Sequence, residues 1–347
     1  VTPGALVCVT GASGFVASWL VRALLERGMR VRGTVRKRSG ADHLRALPGA
    51  DDRLELVEAD LLMPATLTAA VAGCEVVFHT ASPYVLTVAD PQKDLVDPAV
   101  NGTTSVLASC AATPSVRRVV LTSSLAAVTD EPDSTRVLTE ADWNTKSTLD
   151  RNPYYLSKTL AERAAWAFVE RERPTFDLVA LNPFLVMGPS LGPGANVSNQ
   201  IVADLVNGVY PAIVSLTWGV IDVRDLAEAH VRAAEVASAS GRYLLANEPV
   251  SMRTMVGWLR EAGYGQGTKL PSRGLDHAVG NWLVRLNSYV QPKGAGSYLR
   301  THVGRVPRYD TRKAREDLGM RYRPTRETVL DTAADLEARG RLTRVRT

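Results

Sequence analysis

Thiols are scarce in this sequence. Cys8, Cys74 and Cys110 are the only cysteines among 347 residues, each in an apolar context and none in a C-x-x-C or Cys/His spacing. That excludes a disulfide framework or a spaced zinc site and implies a reducing, cytoplasmic setting, with no metal. Long apolar runs are missing too: none reaches the length of a membrane-spanning helix, so no membrane partner is expected. The opening VTPGALVCVTGA runs straight into a glycine turn, too short and wrongly flanked for a secretory signal. Concentrated charge is also lacking. The formal net charge is +5, but the Arg-dense tail after Arg300 interleaves its arginines with Asp310, Glu316, Asp317 and Glu327. Without an aromatic-plus-basic platform this describes solvated faces, and no nucleic-acid partner is expected.

What is present is an ordinary globular composition, 45% hydrophobic and 22% charged. Apolar runs alternate with segments of helical period through the first half: ALVCVT, SWLVRALLERG, MRVRGTV, RLELVEAD, LTAAVAG, EVVFHTAS, VNGTTSVLASCAA and RRVVLTSS. Continuous Val/Leu-rich strands separated by helices predict a parallel sheet covered on both faces, a doubly wound α/β domain. A polar stretch after Ser124 leads to the segment NPYYLSKTLAERAAW and then to another strand, FDLVALNP. Asn152 and Pro153 suit the N-cap and first turn of that helix, and Leu160, Ala164 and Phe168 predict its sheet-packing side. Beyond Gly188 the rhythm fades into a smaller, mixed C-terminal lobe interleaved with the last strand or two of the sheet.

The first strand ends in VTGASGFVA, which sets Gly11 and Gly14 between strand and helix in the pattern G-x-x-G-x-x-A. Glycines there let the backbone approach a pyrophosphate, and the helix N-terminus supplies unpaired N–H groups. An acid at the end of the second strand would hold the ribose 2′-hydroxyl of NAD. Here that position reads Arg36-Lys37-Arg38, which suits the 2′-phosphate of NADP instead, because an Arg fork binds phosphate bidentately. Asp60, ending the third strand, is a candidate for the adenine amino group, although an ordinary strand-end Asp has the same appearance.

Tyr154 and Lys158 are four residues apart on a predicted helix, so both lie on one face. A unit charge about 4 Å from a phenol is worth ~4 kcal/mol at an effective dielectric of 20. One pKa unit corresponds to about 1.36 kcal/mol, so a neighbouring ammonium suffices to draw a tyrosine down toward neutrality. Tyr155, three residues from Lys158, is less favourably placed, and spacing alone leaves both tyrosines in play.

Taken in order, TGASGFVA, TVRK, ADLL, HTASP, NGT, LTSS, YYLSK and LNPFLVMGP resemble the extended short-chain dehydrogenases/reductases. The nearest group is that of dihydroflavonol reductases, cinnamoyl-CoA reductases and microbial aldehyde or ketone reductases. The resemblance spans Leu6 to about Asn247. It implies a Rossmann-type NADP-binding domain over 1–182, completed by about 215–235, and a mainly substrate-binding lobe over 183–347. It also implies an NADPH-dependent reduction of a hydrophobic or aromatic ketone or aldehyde. The family's Y-x-x-x-K falls on Tyr154 as proton donor and Lys158. Its serine falls on Ser124 in preference to Ser123, and Asn101 supports the hydrogen-bond network or caps its helix. Gly11, Ser13, Gly14, Phe15, Val16, Arg36, Lys37, Asp60, Leu61, Thr80, Ala81, Ser82, Lys158, Pro183, Val186 and Ser198 are implied to bind the cofactor. Tyr84, Ser124, Thr129 and Tyr154 are implied to meet the substrate.

His79 and His230 are expected to be packed, not catalytic. The substrate wall is expected from SPYVL, from LAAVT after Ser124, from GPSLGPGANVSN and from the segment between Asn281 and Tyr298, with Trp218 and Trp282 contributing to it or to the core. Two departures limit the resemblance. Thr129 stands where plant dihydroflavonol reductases have Asn, and NPYYLSK replaces the N-W-Y-C-Y-G-K of plant cinnamoyl-CoA reductases, so neither plant substrate transfers. The competing readings are a nucleotide-sugar epimerase or dehydratase of the same fold, against which Arg36 speaks, and a non-catalytic NADP-sensing protein. A monomer or homodimer is expected.

Overall fold

The computed structural model describes residues 3–82, 89–194, 196–265, 269–291 and 293–343. In chain order the strands are β1 Leu6–Thr10, β2 Arg30–Val35, β3 Leu54–Glu58, β4 Val76–His79, β5 Arg118–Thr122, β6 Asp177–Pro183, β7 Leu185–Met187, β8 Thr217–Trp218, β9 Val220–Asp222, β10 Gly241–Leu245 and β11 Val250–Ser251. The helices of the first half are α1 Phe15–Glu26, α2 Asp42–Arg45, α3 Ala50–Arg53, α4 Pro64–Val71, α5 Asp97–Ala111 and α6 Pro153–Glu172. Those of the second half are α7 Val197–Asn207, α8 Val223–Glu235, α9 Met252–Leu259, α10 Ala278–Asn287, α11 Lys293–His302, α12 Arg312–Asp317 and α13 Thr325–Ala338.

Seven strands pair in the order β10-β6-β5-β4-β1-β2-β3, all in parallel. This is the doubly wound sheet that the alternating apolar runs predict. Every residue of β4 is buried, as a strand covered on both faces requires. The order reverses between β1 and β4, which opens a crevice beyond the carboxyl ends of those two strands. Register sets Thr10 beside His79 and Thr122 beside Leu181, so the residues that follow each strand converge on that crevice.

One face of the sheet is covered by α1 and α8, whose Leu20, Leu24, Leu226 and Val231 share a core with Val9, Phe78 and Val120. In α1 the buried positions Ala17, Leu20, Val21, Leu24 and Leu25 follow the helical repeat, and each buried leucine contributes about 1.5–3 kcal/mol. The other face is covered by α4, α5 and α6 through Leu67, Val106, Leu107, Ala165 and Phe168. A separate core joins Val202 and Leu205 of α7, Trp218 of β8, Val256 of α9 and Val329 of α13, which makes the second lobe a composite of distant segments.

Three expectations are corrected. The sheet is completed by β10 at Gly241–Leu245, beyond the 215–235 window, which instead supplies β8, β9 and the covering helix α8. Leu160 does not face the sheet and is 36% exposed; the buried side of α6 carries Ser157, Lys158, Thr159, Glu162, Ala165 and Phe168. Polar groups occupy that face because each finds a partner there, so hydrophobic period misjudges it. Asn152 sits at the N-cap position in a left-handed conformation, φ 52°, and its side chain does not cap the helix.

Candidate active site

The crevice between β1 and β4 is stitched by the Thr10 hydroxyl and by that of Thr80, which donates to the Thr10 carbonyl. Thr10 Oγ1 accepts the N–H groups of Thr80 and Ala81, both at 3.1 Å, and lies 2.9 Å from His79 Nδ1, to which its proton is therefore directed. Burial, with a smaller contribution from the Lys158 charge, lowers His79 to about 4, so it is neutral and packed. Gly11 follows Thr10 with φ +66°, and a Cβ there would lie 3.0 Å from that of Ala81. Only glycine fits this turn. No side chain caps the N-terminus of α1 at Gly14, which leaves the first N–H groups of α1 facing the crevice, where they suit a pyrophosphate. Ser13 is exposed on the same turn.

At the end of β2, Arg36 and Lys37 are exposed and, among the described residues, form no ion pair. The nearby acid Glu58 is engaged, accepting the Arg38 backbone N–H at 3.0 Å. The end of β2 therefore presents cations and no competing carboxylate bond to Arg36. Asp60 accepts the Leu62 N–H at 2.9 Å, and Leu61 packs against Gly102 of α5. The cradle, the open helix terminus and this cationic strand end fit a phosphorylated dinucleotide.

A cavity of about 1080 Å³ continues from Gly11, Gly14, Phe15, Val16, Thr80 and Ser82 past Ser124, Tyr154 and Lys158 into the second lobe. Lys158, nine-tenths buried, donates from Nζ to Ser82 Oγ at 2.8 Å and lies 5.7 Å from the Tyr154 ring centre. Burial lowers Lys158 to about 8. Ser124 Oγ accepts the Ala126 N–H at 3.2 Å, capping the short turn Leu125–Ala127, and its hydroxyl proton is free to point into the cavity. Pro183, Val186 and Ser198 line the cavity beside this group, as does Thr129.

The structure does not bring Asn101 to this cluster. It lies exposed in the second turn of α5, outside the cavity lining, and so does not cap that helix. Tyr84, with Val85 and Leu86, falls outside the described residues.

Each of the four expected segments reaches the cavity: Ser82, the one described residue of SPYVL, then Leu125 and Ala126, Asn196 and Val197, and Leu283, Val284 and Tyr298. Trp218 lines the cavity and donates from Nε1 to Tyr298 Oη at 2.7 Å, whereas Trp282, 62% exposed, belongs neither to wall nor to core. Tyr155 and His302 also line the cavity, and the His302 ring stacks on Tyr298 at 3.8 Å. Burial lowers His302 to about 4, so this ring is uncharged near neutrality. No sequence pattern marks Tyr210, which stands in the irregular segment after α7, or His302 at the end of α11, because both reach the cavity through non-local packing. His230 is buried between Thr122 Oγ1 at 2.6 Å and Leu226 O at 2.7 Å, a packed histidine as expected.

A dinucleotide cradle opening onto a Ser/Tyr/Lys group and an apolar chamber defines a nucleotide-dependent enzyme of the doubly wound class. Comparison with known proteins assigns the branch. Residues 7–246 match the NAD dependent epimerase/dehydratase family, and the chain belongs to it, within the extended short-chain dehydrogenases/reductases. Among its relatives, the cinnamoyl-CoA reductase CAD2 of Medicago truncatula is 46% identical over 269 residues, covering 74% of this chain and 81% of that protein. Cinnamoyl-CoA reductase 1 of Arabidopsis thaliana is 39% identical, covering 98% and 91%. The yeast methylglyoxal/isovaleraldehyde reductase Gre2, solved with NADPH, superposes with TM-score 0.80 at 30% identity, covering 97% and 100%. Among the described residues no helix is long and apolar enough to cross a membrane, and no cluster of His, Cys, Asp and Glu is arranged to hold a metal ion.

Proposed function

We propose that the protein is an NADPH-dependent carbonyl reductase acting on a hydrophobic or aromatic ketone or aldehyde, with Tyr154 as the proton donor. The observation that carries this reading is the position of Lys158: its buried ammonium faces Ser82 on the cofactor side and Tyr154 on the chamber side. The residues that would hold the cofactor are those of the glycine turn, Arg36 and Lys37 at the 2′-phosphate, Asp60 and Leu61 near the adenine, Thr80, Ala81 and Ser82 along the crevice, and Pro183, Val186 and Ser198 at the nicotinamide end. When bound, NADPH supplies the hydride to the carbonyl carbon.

Tyr154 gives its phenolic proton to the oxygen as charge builds there, and Ser124 donates a second hydrogen bond to the same atom. Lys158 favours the phenolate that remains and would hold the ribose of a bound cofactor. Among the described lining residues only Lys158 and Asp204 carry charge. This composition favours a neutral carbonyl compound over a nucleotide sugar, whose diphosphate calls for cations. Free buried thiols and the absence of a described membrane helix accord with a cytoplasmic enzyme, monomeric or homodimeric.

The test follows NADPH and NADH consumption against aryl ketones and aldehydes. NADPH is expected to outperform NADH, and Tyr154→Phe to lower kcat by about 10²- to 10⁴-fold, while Tyr155→Phe retains most activity. If no carbonyl compound consumes NADPH the reading fails, and an equal loss in Tyr155→Phe would reassign the acid.

A further inference from the structure

Behind the serine turn lies an ion pair that the proposed chemistry does not use. Glu162 stands four residues beyond Lys158 on the buried side of α6, its side chain wholly inaccessible. Oε2 accepts the Ser123 hydroxyl at 2.5 Å and the Asn182 amide at 2.7 Å. Oε1 accepts Arg242 Nε at 2.6 Å and Trp166 Nε1 at 3.2 Å. Asn182, also wholly buried, donates to the Ser124 carbonyl at 3.2 Å. Both of its partners are acceptors, which fixes its Nδ2 toward them and leaves Oδ1 without a hydrogen bond.

Arg242, on β10, is held in turn. It donates to the carbonyls of Glu140 and Asp142, at 2.8 and 2.5 Å, and its guanidinium lies 3.9 Å from the Trp143 ring centre. Asn144, next in the chain, donates from Nδ2 to the Ala126 carbonyl at 2.8 Å. The polar stretch between Ser124 and α6 is thus wrapped around the pair. Buried charges cost more in desolvation than a hydrophobic pair of similar volume would, and this one converges on Ser123 and, through Asn182, on the Ser124 carbonyl.

We infer that the Glu162–Arg242 pair is a positioning device for the proposed reduction: it fixes the Ser123–Ser124 turn relative to Tyr154 and Lys158. This rests on the reading of the site as a carbonyl reductase. Three points of one helix face, Tyr154, Lys158 and Glu162, then serve proton, cofactor and serine turn, and α6 carries the spacing between them. Glu162 lies outside the cavity lining and acts through Ser123 and Asn182.

The decisive variants are Glu162→Gln and the double variant Glu162→Gln with Arg242→Met, which removes both buried charges and so keeps the test readable where an unpaired Arg242 impairs folding. With the carbonyl substrate that the wild type reduces best, kcat is expected to fall about ten- to a hundredfold in both, the scale of a small misplacement of a reacting group. KM for NADPH stays within about twofold, since the cradle is untouched. A return of kcat to the wild-type value together with the thermal midpoint in the double variant would show that the pair only stabilises the fold, and would overturn the inference. Amide hydrogen exchange supplies a readout that needs no turnover: faster exchange confined to residues 122–128 supports the hold on the turn, and unchanged exchange there refutes it. Absence of any carbonyl reduction by the wild type would sink the functional reading alone.

Discussion

Lys158 has one charge and two neighbours to serve, and its burial brings the loss of that charge within reach of ordinary buffers. Because burial lowers it to about 8, kcat/KM for NADPH, which reports the free enzyme, is expected to decline as pH rises through about 8. A pH–rate profile checks this, and a profile flat to pH 10 would remove Lys158 from the role. The linked stability has the opposite sense: the folded lysine releases its proton before the unfolded one, so its buried charge destabilises below pH 8 and is relieved as pH rises toward 10.5. Spacing plus motif pointed to Tyr154 and Lys158, and motif to Ser124, and the three line one cavity. Glu162 and Arg242 were not legible, because their contact joins residues 80 apart in sequence and no local pattern announces it. Asn101 was drawn toward the site by its motif alone, and its place on α5 shows that a short motif does not define a side chain's surroundings.

Elements translate those residues into geometry. The β1–α1 turn works only with a positive φ at Gly11 and a close approach to Ala81. Gly11→Ala is therefore expected to cost about 1–2 kcal/mol in backbone strain and to weaken NADPH binding. Gly194→Ala, with open space around it and no positive φ, should leave both nearly unchanged; thermal melting and a fluorescence titration compare the two. Strands were read well because a strand buried on both faces is a continuous apolar run, as in β4 and β5. α6 was read at the right place but with the wrong face: Lys158, Ser157 and Glu162 are buried through partners, which hydropathy cannot register.

At the scale of the whole molecule, three buried neutral histidines join the layers. Burial lowers His79, His230 and His302 to about 4 each, below the value near 6.5 of an unfolded chain. Their contribution is full above pH 6.5 and is lost as pH falls toward 4, at up to about 1.36 kcal/mol per pH unit for each. Urea denaturation at pH 7 and pH 4.5 should show a marked loss of stability at the lower pH, and equal values would contradict the burial of these rings. The sheet was legible up to β6, whereas the place of β10 was not, because the chain first builds β7, α7, β8, β9 and α8 before it returns to the sheet.

One small link between the lobes has a larger consequence. Asp130, buried beneath Arg151, accepts Asn152 Nδ2 at 2.6 Å, and Asn152 Oδ1 accepts the hydroxyl of Ser297 on α11 at 3.0 Å. The residue two before Tyr154 is thereby tied to the helix that carries Tyr298 and His302. Recognition and reactivity share a bracket. On the proposed reading a remodelled chamber wall pulls on the proton donor itself, so efforts to widen what this enzyme accepts are expected to register in turnover as readily as in affinity.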